Sequence, residues 1–171
     1  MFTNFFLQEE MAEELRKLFS KDRFPDRNGK LTALSVYEQF LPITDAGQGE
    51  DSQEDLENGF LREGQGDIPV PYIQVILPTG RINTVNKPGT TNLLLYLCVY
   101  DDGKERKGYQ YLINMIHRIC ERFQKNICLG NYQCREEIVW ELSDEDDHPF
   151  YFGAISMEFN TPTIKKEDRY C

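Results

Sequence analysis

Two side chains that could bind a metal or act as nucleophiles stand three residues apart in the stretch GYQYLINMIHRICERF. If the stretch is a helix, His117 and Cys120 are neighbours, since positions i and i+3 share a helix face. A structural zinc site needs four ligands, so this pair would need others. Four further candidates show no spacing typical of zinc sites: Cys128, Cys134, His148 and Cys171. The sequence therefore predicts no metal site.

The spacing of apolar residues in the same stretch indicates a packed helix instead. One apolar face recurs at intervals of three and four: Tyr109, Leu112, Ile113, Ile116, Ile119, Cys120 and Phe123. Apolar surroundings raise the pKa of a thiol and suppress the reactive thiolate, so we expect Cys120 to be an inert core residue. His117 falls on the solvent side, beside Asn114 and Arg118. We expect no catalytic residue in this helix.

A cluster of carboxylates, DEDDH at residues 144–148, could suit Mg²⁺. It lacks the glycine and the terminal glutamate of a calcium-binding loop. A metal-dependent nuclease would need carboxylates from several elements to hold two ions about 4 Å apart. In this chain Asp144, Asp146 and Asp147 come from one turn. A solvated acidic turn is the favoured interpretation, and a nuclease built on these three residues stays the alternative from the enzyme class.

A basic segment, GKERKG at residues 103–108, precedes the predicted helix. Lys104, Arg106 and Lys107 crowd a helix start, where the helix dipole favours anions over cations. Two interpretations remain open. The three side chains are simply solvated, or they contact an acidic surface of another protein.

The elements that would position these residues follow from periodicity and turn signals. Thr3 or Asn4 can cap a helix that ends near Lys21, before the turn-rich KDRFPDRNGK, and a second helix covers residues 108–123. A polar, acidic segment at residues 44–67 is predicted to be a mobile loop, residues 81–92 a second loop, and residues 165–171 a charged tail. Strands are predicted at residues 34–43, 71–80, 93–102, 136–144 and 148–162.

The element order α-β-β-β-α-β-β predicts an α+β fold, one twisted, mostly antiparallel sheet with two helices packed on it. The strand LLLYLCVYDD is apolar on both faces. This pattern predicts a central position in a sheet covered on both sides, or a sheet face used in assembly. The length of 171 residues suits a single domain, residues 1–171.

Composition and charge narrow the class of protein. Hydrophobic residues make up 40% and charged residues 28%, which suits a globular chain without a membrane-spanning segment. The N-terminus turns acidic where a signal peptide would continue apolar, so we expect a cytosolic chain with reduced cysteines. The net charge of -10 opposes gripping DNA, which requires Lys and Arg to displace counterions.

An ordered set of phrases resembles the tail terminator (tail completion) proteins of tailed phages and prophages of Gram-positive bacteria. The group tends to show a YDD strand end, a GYQ helix start, a W-x-L strand and a PYYFG-like strand. In this chain these are Tyr100–Asp102, Gly108–Gln110, Trp140–Leu142 and Pro149–Gly153, in the variant PFYFG. The resemblance covers roughly residues 34–164.

The resemblance implies a structural virion protein with no catalysis and no cofactor. Such a protein caps the tail tube as a ring, usually a hexamer, at the junction between tail and head. Its partners would be other copies of itself, the tail tube protein and a neck or head completion protein, with DNA only as passing cargo and no membrane. The subunits would assemble in the host cytoplasm. The runner-up within the structural class is a head completion or neck adaptor protein.

Overall fold

The structure is a computed structural model and describes residues 4–42, 68–83 and 87–162. Its two helices are α1, Asn4–Leu18, and α2, Gly108–Lys125. The first four strands are β1 Phe24–Pro25, β2 Leu31–Thr32, β3 Ser35–Glu38 and β4 Tyr72–Arg81. The others are β5 Gly89–Tyr100, β6 Cys128–Leu129, β7 Tyr132–Leu142 and β8 Phe150–Thr161.

Six of the strands form one sheet in the order β3-β4-β5-β8-β7-β6. Every neighbouring pair is antiparallel except β3 and β4, which run parallel. Strands β1 and β2 form a separate small antiparallel ladder. The predicted α+β class, with a mostly antiparallel sheet and two helices on it, is confirmed.

Both helices pack on the same face of the sheet, here called the helix face. Residues that recur along α1, such as Leu7, Met11 and Leu15, are fully buried. They join one core with Leu112, Met115, Ile116, Ile119 and Phe123 of α2. The sheet contributes alternate residues to this core, because successive side chains of a strand point to opposite faces: Ile73, Val75, Leu93, Leu95, Leu97, Ile155, Met157 and Phe159.

The second face of the sheet carries its own smaller cluster. Tyr72, Cys98 and Phe152 are buried there with Ile68 and Val70. Burial raises the pKa of the Cys98 thiol to about 12, so this thiol is protonated at neutral pH. From β5 this cluster includes Cys98 and, at its margin, Tyr100, so the second face of the strand is covered at its C-terminal end.

Strand β5 lies at the centre of the sheet. It pairs with β8 over twelve consecutive residues, from Gly89 opposite Thr161 to Tyr100 opposite Phe150. The predicted central position is therefore confirmed. The predicted start of the strand at Leu93 is wrong, since residues 89–92, assigned to a loop, continue both neighbouring ladders.

The predicted strand 34–43 is also too long, because β3 ends at Glu38. Gln39 has φ 62°, in the left-handed region that a strand cannot use. Its side-chain oxygen accepts a hydrogen bond from the backbone N–H of Leu77, at 3.1 Å. Beyond the end of β3, the Gln39 side chain therefore provides a hydrogen-bond acceptor to the backbone of β4.

Three short strands were not predicted at all: β1, β2 and β6. The first two flank a turn in which the Asp26 carboxylate accepts hydrogen bonds from the N–H groups of Asn28 and Lys30. Strand β7 begins at Tyr132, four residues before its predicted start, and a register shift between Cys134 and Ile138 marks a bulge.

Two further predictions lie outside the described residues, the loop at 44–67 and the tail at 165–171. Among the described residues, neither helix has the length and apolar composition needed to cross a membrane.

Candidate functional site

The four phrases that carry the resemblance meet at one end of the sheet. Tyr100 at the end of β5 pairs with Phe150 at the start of β8, and Leu142 at the end of β7 pairs with Gly153. The start of α2 packs against this same end of the sheet, where Gly108 lies beside Tyr151. We call residues 100–109 and 142–152 the charged end, because the basic segment and the acidic turn both belong to it.

Backbone hydrogen bonds fix the loop that leaves β5. The Asp101 N–H donates to the carbonyl of Pro149, at 2.9 Å, which extends the β5–β8 ladder by one step. The Asp101 carboxylate then accepts a hydrogen bond from the Gly103 N–H at 3.0 Å. This is an Asx turn, in which a short acidic side chain stabilises the reversal of the chain.

Gly108, the first residue of α2, lies where no side chain fits. A Cβ atom at this position would overlap two ring carbons of Tyr151 and lie 2.9 Å from the Cβ of Asp101. Gly108 is buried, and the close approach lets the first turn of α2 rest on β8. Close packing against Tyr151 therefore requires a glycine at the start of the GYQ phrase.

The basic segment and the acidic turn are separate in the sequence, but they are in contact in the structure. Arg106 forms an ion pair with Asp146, and both side chains are more than half exposed. The hydrogen bond from Arg106 lowers the pKa of Asp146 and raises the pKa of Arg106. Arg106 has φ 53°, an uncommon conformation for a residue other than glycine.

The remaining two basic side chains point to solvent. Lys107 forms an exposed ion pair with Glu105, its neighbour but one. Lys104 is exposed and forms no ion pair with any described residue. Lys107 also occupies the N-cap position of α2, where its side chain caps nothing. Of the two lysines, Lys104 is thus the one without an ion pair among the described residues.

A shallow pocket of about 250 Å³ lies between the acidic turn and the start of α2. Polar and aromatic groups line it, among them Arg106, Tyr109, His148 and Tyr151. His148 Nδ1 and the hydroxyl of Tyr151 are 3.3 Å apart. Ser143 also lines the pocket, and its hydroxyl accepts a hydrogen bond from the Glu145 N–H at 3.3 Å.

The acidic turn does not gather ligands for a metal ion. Among residues 4–42, 68–83 and 87–162, no three His, Cys, Asp or Glu side chains are arranged to hold one. Asp146 is instead engaged by Arg106. A two-metal site for phosphodiester cleavage has no counterpart in this part of the chain.

On helix α2, His117 and Cys120 have different surroundings. His117 is exposed, as predicted, and its ring contacts Trp140 edge-on at 6.3 Å between centroids. Cys120 packs against the edge of the core and is half-buried, so its prediction as a full core residue is only partly correct. Desolvation raises the pKa of its thiol. Tyr109, predicted on the apolar face, is 44% exposed and lines the pocket at the charged end.

No protein-family model matches the chain, and no curated protein matches its sequence.

Proposed function

We propose that the chain is a structural subunit of a phage tail terminator, which closes the end of the tail tube as a ring and joins it to the neck. The observation that carries the proposal is the convergence of the four resembling phrases. They are spread over residues 100–153, yet strand pairing brings Tyr100 beside Phe150 and Leu142 beside Gly153.

The chemistry of the charged end supports an interaction role over a catalytic one. The exposed side chains are charged and paired with one another, as in Arg106 with Asp146 and Lys107 with Glu105. Exposed pairs of this kind contribute little to stability but steer association with a charged partner. The surface suits contact with another protein.

The net charge of -10 fits the proposed place of action. A ring at the tail end surrounds the path of DNA, and a negatively charged passage keeps phosphates from binding to its wall. A heterologous contact that closes by rotation builds such a ring from identical subunits.

The proposal is tested by assembling the chain with its tail tube protein. Mass photometry and negative-stain imaging should show a closed ring, with six subunits expected, bound at the tube end. Complementation of a terminator-deficient phage should restore normal tails, and failure should leave detached heads and overlong tails. A chain that stays monomeric with its tube protein contradicts the proposal, and binding to the portal side alone favours a neck adaptor.

The basic segment gives a sharper form of the test. The variant Lys104→Glu with Lys107→Glu leaves Arg106 and its ion pair with Asp146 intact. We expect slower association with the acidic partner surface and a weaker dependence on salt, because steering charges act on the encounter rate. Lys21→Glu with Lys30→Glu is the matched control, since both lysines are exposed and far from α2 in sequence. Equal association of both variants would remove the basic segment from the contact.

A further inference from the structure

Strand β7 has an outer edge that no described strand covers beyond its first two residues. We propose that this edge binds an extended segment of another protein, in which apolar and basic residues alternate, as an added antiparallel strand. The proposal goes beyond the ring proposed above, because it holds whether or not the chain closes a phage tail.

The neighbours of β7 leave most of its outer edge open. On its inner side β7 pairs with β8. On its outer side β6 pairs only with Tyr132 and Gln133, and the residue just before β6 accepts the N–H of Cys134. Within the described residues, no strand lies on the outer side of β7 from residue 135 onwards. An edge strand of this kind can accept another strand.

The alternation of hydrogen bonds shows which groups of β7 point away from β8. The Ser143 N–H donates to the Phe152 carbonyl at 2.9 Å, so Ser143 faces β8. The register between the two strands is continuous back to Ile138. Because residues alternate along an antiparallel strand, Ile138, Trp140 and Leu142 direct their N–H and C=O groups outward. Among the described residues, these six groups have no hydrogen-bond partner.

The side chains at the three outward positions form an apolar row on the helix face. Ile138 and Leu142 pack at the margin of the core, and Trp140 is 44% exposed. The Trp140 ring contacts that of His117 on α2. Residues that lie opposite one another on neighbouring strands share a face of the sheet. Apolar residues of an added strand, opposite these three, would therefore shield the row from water.

The positions between them lie on the other face of the sheet and favour a different kind of residue. Val139 is 53% exposed, and Glu141 is exposed as well. Val139 lines an open depression of about 650 Å³ together with Glu136 and Glu137. A lysine or arginine opposite Val139 can lay its aliphatic stem on this side chain and place its charge near the two glutamates.

Unpaired carboxylates determine the sign of the charge that the partner must carry. Five exposed acidic residues lie along the edge and the turn that follows it: Glu136, Glu137, Glu141, Asp144 and Glu145. None of them forms an ion pair with a described residue. Arg135, the basic residue of this strand, is paired with Glu158 at 2.7 Å. The edge therefore attracts a basic partner.

The same charges disfavour a second copy of this chain. Two β7 edges side by side would bring their carboxylates together, and like charges on neighbouring strands are destabilising. Strand β3 is no better match, because its Val36 and Glu38 carbonyls already accept hydrogen bonds from Arg16 and from the Phe40 N–H. Arg16 is also ion-paired with Glu38. A different protein with an extended basic segment is the favoured occupant.

Fluorescence measures binding at the edge directly, because Trp140 is the single tryptophan of the chain. The probe is a short peptide of alternating valine and lysine, which has no aromatic residue. We expect a saturable shift of the Trp140 emission to shorter wavelength as the ring leaves water, and weaker binding as salt is raised. A peptide with glutamate in place of lysine should bind on the order of tenfold more weakly.

Methylation of the peptide backbone distinguishes an added strand from a loose contact between charges. In the proposed register the valines lie opposite Ile138, Trp140 and Leu142, so their N–H groups donate to β7 and those of the lysines point away. Peptides methylated at the valine nitrogens should lose binding, and peptides methylated at the lysine nitrogens should keep it. Equal binding of the two peptides overturns the strand addition.

Matched protein variants test the charge of the edge. Glu137→Gln with Glu141→Gln removes two exposed carboxylates at β7, and Glu13→Gln with Asp102→Asn removes two exposed carboxylates on α1 and after β5. We expect the first variant to weaken peptide binding roughly fivefold and the second to leave it unchanged. Equal affinities of the two variants, or the absence of a saturable shift, overturn the proposal. A Trp140 shift that grows with protein concentration alone identifies a second copy as the occupant and overturns it too.

Discussion

Replacing Gly108 by alanine should destabilise the fold, although alanine is the better helix former. The gain in helix propensity is at most about 1 kcal/mol and smaller at a first helical position. Against it stands a Cβ atom that overlaps the Tyr151 ring and approaches the Cβ of Asp101 to 2.9 Å. Overpacking of this kind costs about 1–3 kcal/mol. We expect a net loss of about 2 kcal/mol in the free energy of unfolding.

Thermal and urea unfolding followed by circular dichroism measure this loss. For a chain of this size, 2 kcal/mol corresponds to a fall in Tm of roughly 4–8 °C. Gln110→Ala, an exposed change in the same turn of α2, is the matched control and should shift Tm by little.

A double variant assigns the cost to its cause. With Tyr151→Ala the ring is absent, so adding Gly108→Ala should cost clearly less than it does in the native background. The approach to Asp101 would remain, and so would part of the penalty. A neutral or stabilising Gly108→Ala in the native background would refute the described packing of α2 on β8.

Three further outcomes are expected. A thiol reagent at neutral pH should label the exposed Cys128 rapidly and Cys98 slowest, because burial raises the pKa of the Cys98 thiol to about 12. Cys120→Ser should cost about 1 kcal/mol, since the half-buried side chain loses only part of its apolar contacts; rapid labelling of Cys120 would contradict its place at the core edge. Burial and the charge of Glu13 raise the pKa of Glu10 in the folded chain, so the charged form destabilises the fold as pH rises past the ordinary glutamate value. Glu10→Gln should therefore stabilise the fold at pH 7, and this gain should vanish in urea titrations run below pH 4.

The fold was predictable where the apolar period is long and one-sided. Helix α2 repeats its apolar residues over five turns, and the strands that became β4, β5 and β8 combine apolar runs with clear turn signals. The start of β5 was missed because Thr90, Thr91 and Asn92 are polar, and only pairing with β4 and β8 makes them a strand. No local signal marks a strand as short as β6.

Charge complementarity at the charged end could not be predicted from local patterns. Arg106 and Asp146 are 40 residues apart, and their meeting depends on how β5 and β8 align. The helix dipole says nothing of a partner within the chain, and Asp146 comes from the turn between β7 and β8. The packing role of Gly108 depends on Tyr151 in the same way, because the ring that excludes a side chain arrives from β8.

The place of β8 in the sheet has a consequence for how the chain is made. It lies between β5 and β7, so both pair with a strand that leaves the ribosome after them. Until residues 150–161 emerge, the nascent chain presents LLLYLCVY of β5 with one edge unpaired and its apolar side chains incompletely covered. Such a segment combines high β-propensity with no charge, the composition that favours intermolecular stacking. Synthesis that stalls before β8 should therefore yield aggregates rather than a folded fragment.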